Sequence, residues 1–248
     1  MEGCNGSSGS RAGIHISNHP VLLHKLSIMR RKDTTPRDYR SALRELTLNL
    51  GYEATADLSL KTCTGETTLG PFEGKELSDN VALIPIMRSG LGMVEPMLEL
   101  LPSAAVYHIG MYKNRKSVLP VQYFNRLPKV HSCDTAVVLD PSISTAGTVV
   151  ATVSILKKWG ARRVKVVCAL AAAAGVAKLL RRHPDVEIYA AAQDEAMNED
   201  GLPVPGIGDA GDRLFSTPYE VMVGPVELGA NSEAVPESPE QKRAKVLG

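Results

Sequence analysis

Apolar positions along the chain follow two rhythms. Short, nearly unbroken apolar runs occur at 81–86, 105–110, 136–140, 164–171 and 186–192, the pattern of strands buried on both faces. Between them, over 92–100, 149–159 and 176–182, apolar residues return every three or four positions, as along one side of a helix. Strand and helix in alternation predict an α/β fold, a largely parallel sheet flanked by helices on both faces. Ahead of this core a first helix is expected over 20–30. A second is well signalled, with Thr35 as N-cap, Pro36 at the first helical position and Asp38 completing a variant of the capping box. Tyr39, Leu43, Leu46 and Leu50 then mark its buried face. Residues 58–74 are polar and threonine-rich, suited to a hairpin or arm. No internal repeat is visible.

At one place the rhythm breaks in a way that suggests chemistry. The run that ends at Leu139 meets Asp140, turns on Pro141, and passes through Ser142, Ile143, Ser144, Thr145, Ala146, Gly147 and Thr148 into a helix. That helix stops at Gly160, where a C-cap glycine belongs. A loop feeding a helix start presents unpaired N–H groups at the positive end of the dipole, and an anion suits it. Ser144, Thr145 and Thr148 add hydroxyl donors for a phosphate, and Asp140 can accept from vicinal sugar hydroxyls. The residues thus read as a ribose 5-phosphate site. Taken alone, they read equally as an ordinary strand-ending turn with a helix N-cap. The spacing is neither that of a Walker loop nor that of a dinucleotide GxGxxG fingerprint.

Three other segments fall at strand ends, where ligands of parallel sheets bind. Arg88-Ser89-Gly90 could let a cation and a close backbone approach a diphosphate, or be a solvated turn. Residues 111–128 run from Tyr112, Lys113, Asn114, Arg115 and Lys116 to Tyr123, Phe124 and Asn125. They read either as a flap that closes on an anion or as an exposed hairpin. The span 204–215, VPGIGDAGDRLF, looks too glycine-rich for helix or regular strand. Its backbone groups could read the edge of a small planar molecule, or it could be a surface loop.

Composition narrows the classes. A chain of 248 residues with 44% hydrophobic residues can bury a substantial core. One domain over 14–218 is expected, with a Gly/Ser-rich tail at 1–13 and a Glu/Ser/Pro-rich tail at 219–248, both disordered. A net charge of +1 gives no field that would draw the chain to nucleic acid or membrane. Cys4, Cys63, Cys133 and Cys168 lack metal or disulfide spacing, and no apolar run approaches the roughly 20 residues of a membrane helix. A cytoplasmic protein with reduced thiols is expected.

Taken together, HPVLLHKLSIMR from His19, PIMRSGLGMV from Pro85, HIGMYKN from His108, LDPSISTAGT from Leu139 and PGIGDAGDRLF from Pro205 closely resemble the uracil phosphoribosyltransferases, from Ile14 to Thr217. The last segment is highly specific to that family. The strand and loop around Asp140 are shared more widely among type I phosphoribosyltransferases. The resemblance implies a parallel α/β core with a β-arm and a small C-terminal hood, assembled as a homodimer or homotetramer. It implies transfer of ribose 5-phosphate from phosphoribosyl diphosphate (PRPP) to uracil, giving UMP and diphosphate. Mg²⁺ would be carried on PRPP without a direct protein ligand, and GTP is a candidate activator.

Residue by residue, the resemblance assigns PRPP to Arg88, Ser89, Lys113, the loop from Asp140 through Thr148, and Asp209. Uracil falls to Pro203, Gly208, Asp209 and Ala210. Asp140, Asp209 and Arg88 are the catalytic candidates, and a non-proline cis peptide is expected near Arg88-Ser89. The chain departs from the family's usual DPMLATGGS at Ser142, Ile143, Ser144, Ala146 and Thr148. Ala146 in place of glycine requires that this residue avoid positive φ. Lys113 stands where arginine is usual, with Arg115 a partial substitute. Leu202 and Pro203 replace an aromatic and aliphatic pair, Ala173 and Ala174 a Pro-Glu pair, and Gln193 an aliphatic residue. These changes leave a second reading open, a catalytically weak homologue that senses PRPP or UMP.

Overall fold

Residues 12–113, 120–130 and 133–217 are described by the computed structural model. The chain enters through strand β1 (Gly13–Ile16) and helices α1 (Pro20–Arg30) and α2 (Pro36–Thr55). A separate antiparallel hairpin, β2 (Leu60–Thr67) and β3 (Gly70–Leu77), forms the expected arm. Strand β4 (Val81–Met87), a 3₁₀ turn at Ser89–Met93 and α3 (Val94–Leu100) follow. Next come β5 (Ala105–Val106), β6 (Ile109–Lys113), β7 (Pro120–Asn125), β8 (Thr135–Leu139) and the two-residue β9 (Ser142–Ile143). Then α4 (Gly147–Trp159), β10 (Arg163–Ala172), α5 (Ala173–Arg182) and β11 (Glu187–Asp194) lead to the short pair β12 (Ala196–Met197) and β13 (Pro203–Val204), and to α6 (Ala210–Phe215).

The main sheet runs β1-β11-β10-β8-β4-β6-β7, with β5 against β4 and β9 against β10. Its pairings are parallel except β6 with β7. Because side chains alternate across a strand, each inner strand feeds two cores. Leu83, Val137 and Leu139 join one with Leu22, Met29, Leu43, Leu46 and Leu50 of α1 and α2. Ala82, Ile84, Ala136 and Val138 join the other with Val149, Val153, Leu156, Val176 and Leu179 of α4 and α5. Burial of each such Leu, Ile or Val contributes on the order of 1.5–3 kcal/mol, which is why the inner strands carry no polar face. At the start of α2 the Asp38 N–H donates to Thr35 Oγ1 at 3.1 Å, and the Thr35 hydroxyl donates to Asp38 Oδ2 at 2.8 Å. The cap is therefore reciprocal, closed through two side chains.

Several expectations change. The run at 105–110 splits into β5 and β6, which meet β4 separately, while Tyr107 packs edge-on against Trp159 at 5.6 Å. The segment 111–128 continues the sheet as the β6–β7 pair; Asn114, Arg115 and Lys116 lie outside the described residues, as does the Lys113 side chain. The span 204–215 is not loop throughout, since α6 forms at 210–215. Its N-cap, Asp209, accepts from the Asp212 N–H at 3.0 Å, supplying the start signal that the glycines obscured. Strand β1 had no sequence signal, being a four-residue edge against β11. The compact unit ends at Thr217; residues 1–11 and 218–248, where disorder was expected, lie outside the described residues. No helix among the described residues is long and apolar enough to cross a membrane.

Candidate active site

The carboxyl ends of β4 and β8 open onto a cavity of about 570 Å³. Ser89, Asp140, and Ser142 through Thr148 form one side. Gly208, Asp209, Ala210 and Gly211 come from a distant part of the sequence to line the same space.

Asp140 is nearly buried, at 8% exposure, directly after β8, and accepts from Ser89 Oγ at 3.2 Å. Burial pushes its carboxyl up to about 7, with the Ser89 hydroxyl and the Ser142 N–H working against that rise and the charge of Asp209 adding to it. Nearby, burial and the Asp140 charge push the Cys168 thiol up as well. Gly90 explains how Ser89 comes so close. A Cβ there would stand 2.2 Å from the Leu139 carbonyl oxygen, so only glycine lets the 3₁₀ turn lie against the end of β8. The non-proline cis peptide lies at Met87–Arg88, one bond before the expected place.

The loop from Asp140 to Thr148 is held from behind by α5, where a Cβ on Gly175 would meet the Ser144 carbonyl at 2.1 Å. Ala146 corrects an expectation: it caps α4 in the left-handed region, at φ 55° and ψ 12°, rather than avoiding positive φ. The chain must reverse there between β9 and α4, and the Ala146 methyl is buried in the second core, which offsets the backbone cost.

The glycine-rich hood is fixed by two arginines. Arg30 grips Asp194 through both terminal guanidinium nitrogens, at 2.9 and 2.7 Å, and donates to the Gly206 carbonyl at 2.9 Å. The Gly206 N–H returns to Asp194 Oδ2 at 2.8 Å. Burial alone would raise the Asp194 pKa, but these contacts outweigh it and hold the carboxyl below the usual range. Arg213 donates to the carbonyls of Met29, Arg31 and Ile207 and lies over the Tyr39 ring at 4.4 Å. Asp209, exposed at the cavity wall, shares that space with Asp140 and acts on it through its charge.

Not every expected residue reaches the wall. Pro141 and Pro203 are buried and do not line the cavity. Arg88 also stands off it, with Nη2 on Asp212 Oδ1 at 3.0 Å and Nη1 on Thr217 Oγ1 at 3.3 Å. Sequence reasoning missed Met87, Lys178, Asp200, Gly201 and Gly211, all of which line the space; Leu202, which the resemblance sets beside the base, is also on the wall. None of the missed residues carried a local signal, since each reaches the wall through the packing of distant elements. Among the described lining residues the charged side chains are Asp140, Asp200, Asp209 and Lys178.

The profile of the family described as uracil phosphoribosyltransferase matches residues 16–217. The protein of that name from Roseiflexus sp. (strain RS-1) is 47% identical over 206 residues, covering 83% of this chain and 99% of its own length. The one from Streptococcus equi subsp. zooepidemicus (strain MGCS10565) is 44% identical over 203 residues, covering 82% and 97%. Among solved structures, the AQ2163 protein from Aquifex aeolicus aligns with a TM-score of 0.79 at 32% identity, over 83% of this chain and 99% of that one. With match and geometry covering the same residues, this chain belongs to the uracil phosphoribosyltransferase family.

Proposed function

We propose that this protein transfers the ribose 5-phosphate group of PRPP to uracil, giving UMP and diphosphate. The observation that carries the reading is the shared cavity: Asp140 with its hydroxyl-rich loop, and Asp209 with its glycines, face one space of about 570 Å³. In it, the N–H groups and the hydroxyls of Ser144, Thr145 and Thr148 take the 5-phosphate. Asp140 accepts from the ribose hydroxyls, aligned by Ser89. Main-chain groups of Gly208, Asp209 and Ala210, with Pro203 behind them, read the pyrimidine edge. A pocket paired to both sides of the uracil amide leaves groups unpaired against cytosine, and that mismatch selects the base.

The nucleophile is the base itself, so no activated side chain is required. Substitution at the anomeric carbon builds positive charge on the ribose while diphosphate departs with negative charge. Arg88 and, by position, Lys113 are the cations for that leaving group. The Arg88–Asp212 pair is half exposed on the arginine side, and such pairs contribute only about 0–1 kcal/mol, so a diphosphate can displace Asp212. Asp209 positions PRPP or eases loss of the uracil proton.

Among the described residues no three His, Cys, Asp or Glu side chains converge as a metal cage. A Mg²⁺ that arrives on a diphosphate keeps phosphate and water ligands and needs at most one or two carboxylates; exposed Asp209 at the wall fits that demand. When bound, the ion neutralises charge on the departing group. Assembly as a cytoplasmic homodimer or homotetramer, with GTP as a candidate activator, rests on the family resemblance. No relative named above supports the sensor reading, since the curated ones carry the enzyme's name.

The test is direct: protein, uracil, PRPP and Mg²⁺ are mixed and UMP is quantified. Steady UMP formation that is lost in Asp140→Ala with the fold retained is the expected result. PRPP binding without product would replace the enzyme by the sensor.

A further inference from the structure

We infer that Lys178 is a phosphate-binding residue of this chain, its ammonium holding the 5-phosphate of PRPP and of UMP. The inference rests on the proposed reaction and adds a contact which the 140–148 loop does not supply. Helix α5 meets that loop at Gly175, whose missing side chain lets the Ser144 carbonyl come within 2.1 Å of where a Cβ would stand. Residues three apart on a helix share a face, so the face that touches the loop also carries Lys178 one turn on. Its side chain lines the cavity together with Ser144, Thr145 and Thr148.

The other charged groups among the described lining residues are the carboxylates of Asp140, Asp200 and Asp209. A phosphate monoester brings about −1.5 to −2 more. Against this, the loop offers neutral hydroxyls and a helix start worth roughly half a charge. Arg88 is turned to Asp212 and Thr217, off the cavity wall. Among the described residues no carboxylate pairs with Lys178, and the first turn of α5 holds no acid that would neutralise it. A four-carbon stem gives the ammonium the reach to follow the phosphate as it enters.

The full chain and its Lys178→Met and Lys178→Arg variants are compared in two measurements: calorimetric binding of UMP and of uridine, and initial rates against PRPP concentration. Lys178 is exposed, so both variants fold. Expected for Lys178→Met is a rise of about tenfold in the UMP Kd and in the KM for PRPP, the loss of one charge-assisted hydrogen bond. Uridine binding and kcat stay level, and Lys178→Arg recovers most of the affinity. An unchanged UMP Kd in Lys178→Met, in an enzyme that forms UMP, overturns the inference and leaves the reaction standing. Equal losses for UMP and uridine overturn it too, since they mean a shape change. A wild-type chain that binds UMP in a Lys178-dependent way yet forms none would overturn the reaction and keep the inference.

Discussion

Asp140 gives the site a response to pH. Its folded pKa of about 7 lies above the ordinary 3.8, because burial disfavours the charged form. Between those values the native state keeps a proton that the unfolded chain has released. The stability from this group is therefore complete below the unfolded pKa and is lost as pH rises through about 7. Substrate binding runs the other way, since only the carboxylate accepts from both ribose hydroxyls. The kcat/KM for PRPP is expected to climb through a midpoint of about 7, and Asp140→Asn to flatten the profile at a value lower by at least roughly 100-fold. Rates measured between about pH 5.5 and 8.5 check both. Ala146 poses a different balance. Left-handed backbone costs a non-glycine residue about 1–2 kcal/mol, but glycine there would forfeit a buried methyl worth about 0.8 and about 0.5–1 in chain entropy. Ala146→Gly should thus leave the unfolding free energy in urea within about 1 kcal/mol of wild type, whereas β-branched Ala146→Val should cost about 2–3 kcal/mol.

At the level of elements, the site depends on close approach more than on charge. Helix α5 supports the loop only because residue 175 has no side chain. Gly175→Ala would drive a methyl into the Ser144 carbonyl, and either α5 or the loop must shift. The expected outcome is a KM for PRPP raised at least about tenfold with the circular dichroism unchanged, for a misplacement near 1 Å can cost up to about 10²-fold. A normal KM in that variant would mean the loop is not held by α5. The elements themselves were largely legible. Helix α2 announced itself through Thr35, Pro36, Asp38 and a regular apolar stripe, all local signals. Strand β1 and helix α6 were not, because a half-buried edge of four residues has no decisive period and because glycines masked the Asp209 cap.

For the molecule as a whole, one ion cluster ties α2 to the sheet at the end away from the cavity. Lys165 is fully buried in β10 and donates to the Ala54 carbonyl at 2.7 Å, to Asp57, and toward Glu187 at 3.3 Å. Burial alone would raise the Asp57 pKa, but Lys165 and Arg163 outweigh it and hold the carboxyl low. That contribution is present above the unfolded value of 3.8 and disappears as pH falls through the folded one. Lys165→Met would leave Asp57 and Glu187 to Arg163; a loss of about 1–3 kcal/mol in urea unfolding is expected, with kcat of the folded fraction unchanged. A drop in kcat at full stability would place the cluster in the catalytic path instead. By itself the sequence determined the alternation of strands and helices, the two apolar cores and the loop that begins at Asp140, because periodicity, caps and turns act between neighbours. Only the tertiary structure decided that Arg88 rests on Asp212, that Ala146 takes a left-handed turn and that Lys178 reaches the cavity. Those outcomes depend on how elements far apart in the chain pack, and on main-chain approaches of a few ångströms that no local pattern encodes.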